Sequence, residues 1–147
     1  GELVLQILKL PSFYPYVCYE LYSFHLMTVI GQSWYMPEHF MLVRITHDHE
    51  ARHTTGAPPV LEFKWRLLDP RYVDAKFKAY KACRAPVWFS PHAERNHMGN
   101  DGTNYELAFG EFFLAARYRW WSYYPDEWRE LAELTESTIQ EFESVLV

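Results

Sequence analysis

The stretch Val60-Leu61-Glu62-Phe63-Lys64-Trp65-Arg66-Leu67-Leu68-Asp69-Pro70 decides how the chain reads. Leu61, Phe63, Trp65 and Leu67 fall on one side of an extended backbone, and Glu62, Lys64 and Arg66 on the other. That two-residue period predicts a strand with one wet face. The pattern stops at Asp69-Pro70, an N-cap acid followed by proline at the first helical position. Beyond it the period lengthens. Val73, Phe77 and Tyr80 form the buried stripe of a helix predicted to run to about Cys83.

Upstream, residues 40–49 alternate in the same way. Met41, Val43 and Ile45 oppose Arg44, Thr46 and Asp48. The two alternating segments are predicted to pair antiparallel, with Arg44 placed across from Glu62. Between them, Thr54-Thr55-Gly56-Ala57-Pro58-Pro59 reads as a loop. Residues 16–30 are rich in Val, Tyr and Phe and read as one long, bent strand, followed by a turn at Gly31-Gln32-Ser33. Residues 2–9 form a short apolar strand, stopped by Pro11 and Pro15.

Downstream of the first helix, residues 87–90 suggest a short strand and residues 91–102 a polar loop ending in Asn100-Asp101-Gly102. Residues 103–109 and 112–121 are predicted to form a hairpin around Gly110-Glu111. In its second strand Tyr118 and Trp120 share one face, and Arg117, Arg119 and Trp121 the other. Pro125 opens a last helix, with Asp126 and Glu127 in its first turn near the positive end of the helix dipole. Trp128, Leu131, Leu134, Ile139, Phe142 and Leu146 recur at helical spacing and should pack on the sheet.

These elements predict one α+β domain over residues 1–147, with an antiparallel or mixed sheet of about six to seven strands and two helices on one face. A chain of 147 residues can bury a core without cross-links. Its hydrophobic content of 49% argues against disorder. Cys18 and Cys83 lack a CxxC arrangement and sit among apolar neighbours, so buried free thiols and a reducing cytoplasm are expected. The N-terminal residues do not resemble a signal peptide, and no apolar run is long enough to span a bilayer.

The formal net charge of -5 excludes a globally basic nucleic-acid binder and tolerates a basic protein partner. The acids are concentrated. Asp126, Glu127, Glu130, Glu133, Glu136, Glu141 and Glu143 face only Arg129, for a net of -6 over residues 126–143. The first helix is the reverse, with Arg71, Lys76, Lys78, Lys81 and Arg84 against Asp74, a net of +4. Two readings follow. The acidic helix steers a basic partner, or the two helices lie side by side and balance each other.

Three chemical signals stand out. Thr46-His47-Asp48-His49-Glu50-Ala51-Arg52-His53 follows a strand and resembles the metal-binding turn of metallo-β-lactamase-like hydrolases. His47 and His49 match the first two ligands. Ala51 and Arg52 stand where that pattern has Asp and His, so half of the ligand set is missing. In the second signal, His92 and His97 flank Glu94, with no nucleophile or base partner to name. The third is aromatic. Tyr118, Trp120, Trp121, Tyr123 and Tyr124 crowd the approach to the last helix, and Trp, Tyr and Arg are the residues enriched at binding hot spots.

Asp101-Gly102-Thr103-Asn104-Tyr105-Glu106-Leu107, then Arg117-Tyr118-Arg119-Trp120-Trp121, then Pro125-Asp126-Glu127-Trp128 resemble matching segments of small bacterial α+β proteins. Many of those resemble immunity proteins of polymorphic antibacterial toxins. The resemblance covers the C-terminal third and implies a non-catalytic domain that binds a cognate toxin and occludes its active site. Such a domain needs no cofactor, no metal and no membrane. Trp121, Tyr123, Tyr124, Glu130 and Glu133 are the expected partner contacts, facing a toxin with a basic surface. The alternatives are a metal-dependent hydrolase built on His47 and His49, and a small-ligand or carbohydrate-binding module using the aromatics.

Overall fold

A computed structural model describes residues 1–12, 14–30, 33–35, 37–48, 56, 58, 60–84, 102–111, 114–124 and 126–147. Strands β1 (Glu2–Pro11), β2 (Tyr16–His25), β3 (Thr28–Ile30), β4 (Ser33–Tyr35), β5 (Glu38–Asp48) and β6 (Val60–Leu68) come first. Helix α1 (Pro70–Ala82), strands β7 (Thr103–Glu111) and β8 (Leu114–Trp121), a 3-10 turn (Asp126–Trp128) and helix α2 (Arg129–Val145) follow. Six strands form one sheet in the order β6-β5-β2-β1-β7-β8, and β3 pairs with β4 separately. Every neighbouring pair in the main sheet is antiparallel.

β1 lies inside the sheet because it pairs with β2 on one side and β7 on the other. Its register shifts between Leu3 and Leu5, which fits Val4 and Leu5 being buried in succession. The core faces the helices. Leu5, Ile7, Tyr19, Leu21, Phe40, Leu42, Tyr105, Leu107 and Trp120 from the sheet meet Val73, Tyr80, Leu131, Ile139 and Phe142 from the helices. Ile7, Leu42 and Leu107 are fully buried, each contributing about 1.5–3 kcal/mol of transfer free energy as an upper estimate.

α1 begins as its sequence predicts. The Asp69 carboxylate accepts the N–H of Arg71 at 2.8 Å, with Pro70 at the start of the helix. The helix ends at Ala82, where the N–H of Cys83 reaches Ala79 O at 3.0 Å. α2 follows a 3-10 turn that holds Asp126 and Glu127, and Pro125 lies outside the described residues.

Three details differ from the sequence expectation. The long second strand is two strands, β2 and β3, with Leu26 and Met27 between them. Gly110 and Glu111 do not turn the β7–β8 hairpin but pair with Ala115 and Leu114, and Phe112 and Phe113 lie outside the described residues. Arg44 is opposite Lys64, while Glu62 is opposite Thr46. The carboxylate partner of Arg44 is Glu143 on α2, whose Oε1 lies 3.0 Å from Arg44 Nε. The proposed short strand at 87–90, most of the 91–102 loop, and His49, His53, His92, Glu94 and His97 lie outside the described residues.

A candidate protein-docking face

The helices cover one face of the sheet, and the register assigns every strand residue to that face or to the open one. On β5, Phe40 and Leu42 turn inward and are buried. Their partners across the strand are Leu68 and Arg66. Directly opposed residues share a face, so the even-numbered charged row of β6 (Glu62, Lys64, Arg66) lies on the helix side. Leu61, Phe63, Trp65 and Leu67 therefore lie on the open face, across from His47, Ile45, Val43 and Met41. The strand has two kinds of face, as the alternation predicts. Its apolar face, however, is the one turned away from the helices, and residues 60–67 are exposed on both faces.

The exposures are large: Leu61 55%, Phe63 60%, Trp65 66% and Leu67 54%. Met41, Val43 and Ile45 continue the apolar surface inward at intermediate burial. Next to them on β2 the face turns polar around Glu20. Its carboxylate accepts Gln6 Nε2 at 2.9 Å and the Tyr22 hydroxyl at 2.6 Å, and Cys18 Sγ lies 3.8 Å away. The hydrogen bond to Glu20, followed by burial, pushes the Tyr22 phenol up to about 12. Burial, reinforced by Glu20, pushes the Cys18 thiol up to about 12. Cys18 is thus held as a thiol and is a poor nucleophile. Both Cys18 and Cys83 are free. The far end of the open face is charged, with Arg119 Nε 3.1 Å from Glu106 Oε1. The face is apolar toward β6 and polar toward β8.

The residues expected from sequence to contact a partner are not gathered on one surface. Trp121 is on the open face but at the β8 end, opposite Asn104. Its indole lies against Gly102, where an added Cβ would collide with the ring. Tyr123 is 77% exposed beyond the strand. Tyr124 packs against the core, and its phenol is raised by burial, then by Glu136 and Glu133. Glu130 and Glu133 are exposed on α2, in the helix layer.

The later acids of α2 are engaged within the chain. Lys76 Nζ lies 2.5 Å from Glu141 Oε1, and the Tyr72 hydroxyl donates to Glu141 Oε2 at 2.9 Å. Glu143 takes Arg44 and the Tyr19 hydroxyl. Burial acts to raise the Glu141 carboxyl, but hydrogen bonds from Lys76 and Tyr72 outweigh it and hold the group below its ordinary range. At this end one ion pair, Lys76 with Glu141, joins the basic and acidic helices.

His47 ends the open face of β5, its ring centroid 6.1 Å from that of Tyr16. Among the described residues no group of three or more His, Cys, Asp or Glu side chains could hold a metal ion. A cleft of about 410 Å³ lies on the helix side, lined by Glu2, Glu38 and Asp74 together with Lys78 and Lys81. Its mixed charges converge on no single ligand chemistry. Among the described residues no helix is long and apolar enough to cross a membrane.

Sequence reasoning missed the four exposed residues of β6. Their alternation was visible, but it does not say which side the helices cover. Compared with family models, curated proteins and solved structures, the chain matches none.

Proposed function

We propose that this chain is a non-catalytic protein-binding domain that docks its partner on the apolar, helix-free surface of β5 and β6. The observation that carries the proposal is the row Leu61, Phe63, Trp65 and Leu67, each more than half exposed. A contiguous apolar patch on a monomer seldom exceeds roughly 300–600 Å², and patches of that size are commonly interaction sites. Trp and Phe at its centre supply the rigid, desolvated anchors that dominate interface energies. The row is extended and flat, which suits a protein surface better than an enclosed small molecule.

The resemblance of the C-terminal third adds the partner class: a cognate antibacterial toxin with a basic surface, bound in the cytoplasm and blocked by occlusion of its active site. Asp126 and Glu127 in the 3-10 turn and Glu130 and Glu133 on α2 are exposed and supply acidic charge for steering. The test is co-expression with the toxin candidate encoded beside this chain, reading complex formation and rescue of growth. The expected result is a tight complex and rescue, both lost in the Phe63→Ala/Trp65→Ala variant. Reversing charge at Glu130 and Glu133 should slow association and flatten its salt dependence. A wild-type chain that neither binds nor rescues removes the toxin reading. Binding that survives the double alanine variant removes the β6 surface.

A further inference from the structure

β6 is an edge of the sheet, and among the described residues β5 is its one strand neighbour. Edge strands are commonly kept from pairing by charges that repel an incoming copy. The charged row of β6 is different, because it is mixed in sign: Glu62, Lys64, Arg66. Laid antiparallel against itself about Phe63, it sets Glu62 opposite Lys64 of a second copy, twice. The same register sets Leu61 opposite Trp65 twice and Phe63 opposite itself. A register about Glu62 opposes two glutamates, one about Lys64 sets Glu62 opposite Arg66 twice but also lysine opposite lysine, and one about Trp65 opposes Lys64 to Arg66 twice. Among these four, only the Phe63 register brings opposite charges together with no like pair. Opposite charges directly across a ladder favour pairing and like charges oppose it.

We propose that β6 pairs with β6 of a second copy of this chain, antiparallel about a two-fold axis at Phe63, joining two six-stranded sheets into one. An isologous contact of this kind closes on itself. It satisfies the outer N–H and C=O groups of β6 with backbone partners. The axis is normal to the sheet, so both apolar rows lie on the same face and merge into one doubled strip. The pairing uses the strand edge and the charged row, and it stands independently of any toxin.

Sedimentation velocity over a concentration series tests it. The wild type should show the mass of two chains at high concentration. Lys64→Glu turns both opposed Glu62–Lys64 pairs into carboxylate facing carboxylate and should weaken the dissociation constant at least tenfold. Glu62→Lys/Lys64→Glu restores opposite charges and should recover most of that loss. Circular dichroism and thermal unfolding confirm that each exposed-site variant is folded. In a Cys18→Ser/Cys83→Ser background, Phe63→Cys should give a covalent dimer on oxidation, because opposed strand positions lie within disulfide reach. A single-chain mass throughout overturns the proposal. So does a dimer that Lys64→Glu leaves intact, one that the charge swap fails to restore, or one that Phe63→Cys does not cross-link.

Discussion

β6 and β8 are the two edges of one sheet, and their sequences follow the same rule, aromatic or aliphatic residues alternating with charged ones. Their outcomes are opposite. In β8, Tyr118 and Trp120 turn to the helix layer, and Arg117 and Arg119 are exposed. Trp128 at the approach to α2 covers them, with ring centroids 6.4 Å from Tyr118 and 6.2 Å from Trp120, and Tyr105 stacks on Trp120 at 5.6 Å. In β6, the apolar row turns to the open face and the charged row to the helix side. There α2 meets the sheet through polar groups instead: Arg66 Nη1 donates to Val145 O at 3.1 Å, and Arg44 meets Glu143 at 3.0 Å. The same alternation is a packing device at one edge and an exposed surface at the other. What differs is which row of the strand faces the helix layer.

The sharpest way to break this comparison is to truncate one tryptophan from each edge. Trp120→Ala removes a covered ring and should cost about 3–5 kcal/mol in urea unfolding. Trp65→Ala, more than half exposed, should stay within about 0.5 kcal/mol of wild type. Equal costs would mean that the β6 row is as buried as the β8 row.

A smaller effect is expected at Gly102. A methyl group there meets the Trp121 indole, so Gly102→Ala should cost about 1–3 kcal/mol as the ring is displaced. A neutral change would show that Trp121 is free to move, as an interface residue at the β8 edge needs to be.

The smallest effect concerns the charged contact between α1 and the end of α2. The Glu141 carboxyl is held below its ordinary value, 4.5, so it stabilises the fold above that pH, and the contribution disappears as pH falls through its lower, folded-state value. Because the Glu141 side chain is 39% exposed, solvent screening limits the contribution to less than about 1 kcal/mol. Glu141→Gln should remove that part of the acid dependence. Hydrogen exchange on acidification should loosen the end of α2 nearest Glu141 before the end that packs through Trp128. Uniform loss along the helix would erase the distinction between a charged end and an aromatic end.

Much of the molecule was legible in its residues because the signals are local. Asp69 and Pro70 start α1 where capping chemistry requires, and β6 spans the alternating stretch from Val60 to Leu68. The β8 face assignment was legible as well, since Trp120 is buried and Arg119 is exposed. The candidate surface was not legible. Residue type marks Trp121, Tyr123, Tyr124, Glu130 and Glu133, yet they occupy different layers, and the exposed row of β6 has the alternation of a core strand.

By itself the sequence determined the type of most elements, where several of them begin and end, and which residues share a side of each strand. Caps, proline and periodicity act within a few residues. Only the tertiary structure decided which side is covered. Alternation divides a strand into two faces without giving either a direction, and the pairing of Leu42 with Arg66 sets that direction for β6 from a residue far away in the chain. It also decided that Lys76 and Arg44 meet the last acids of α2, because which charges become neighbours depends on how helices and strands are laid together.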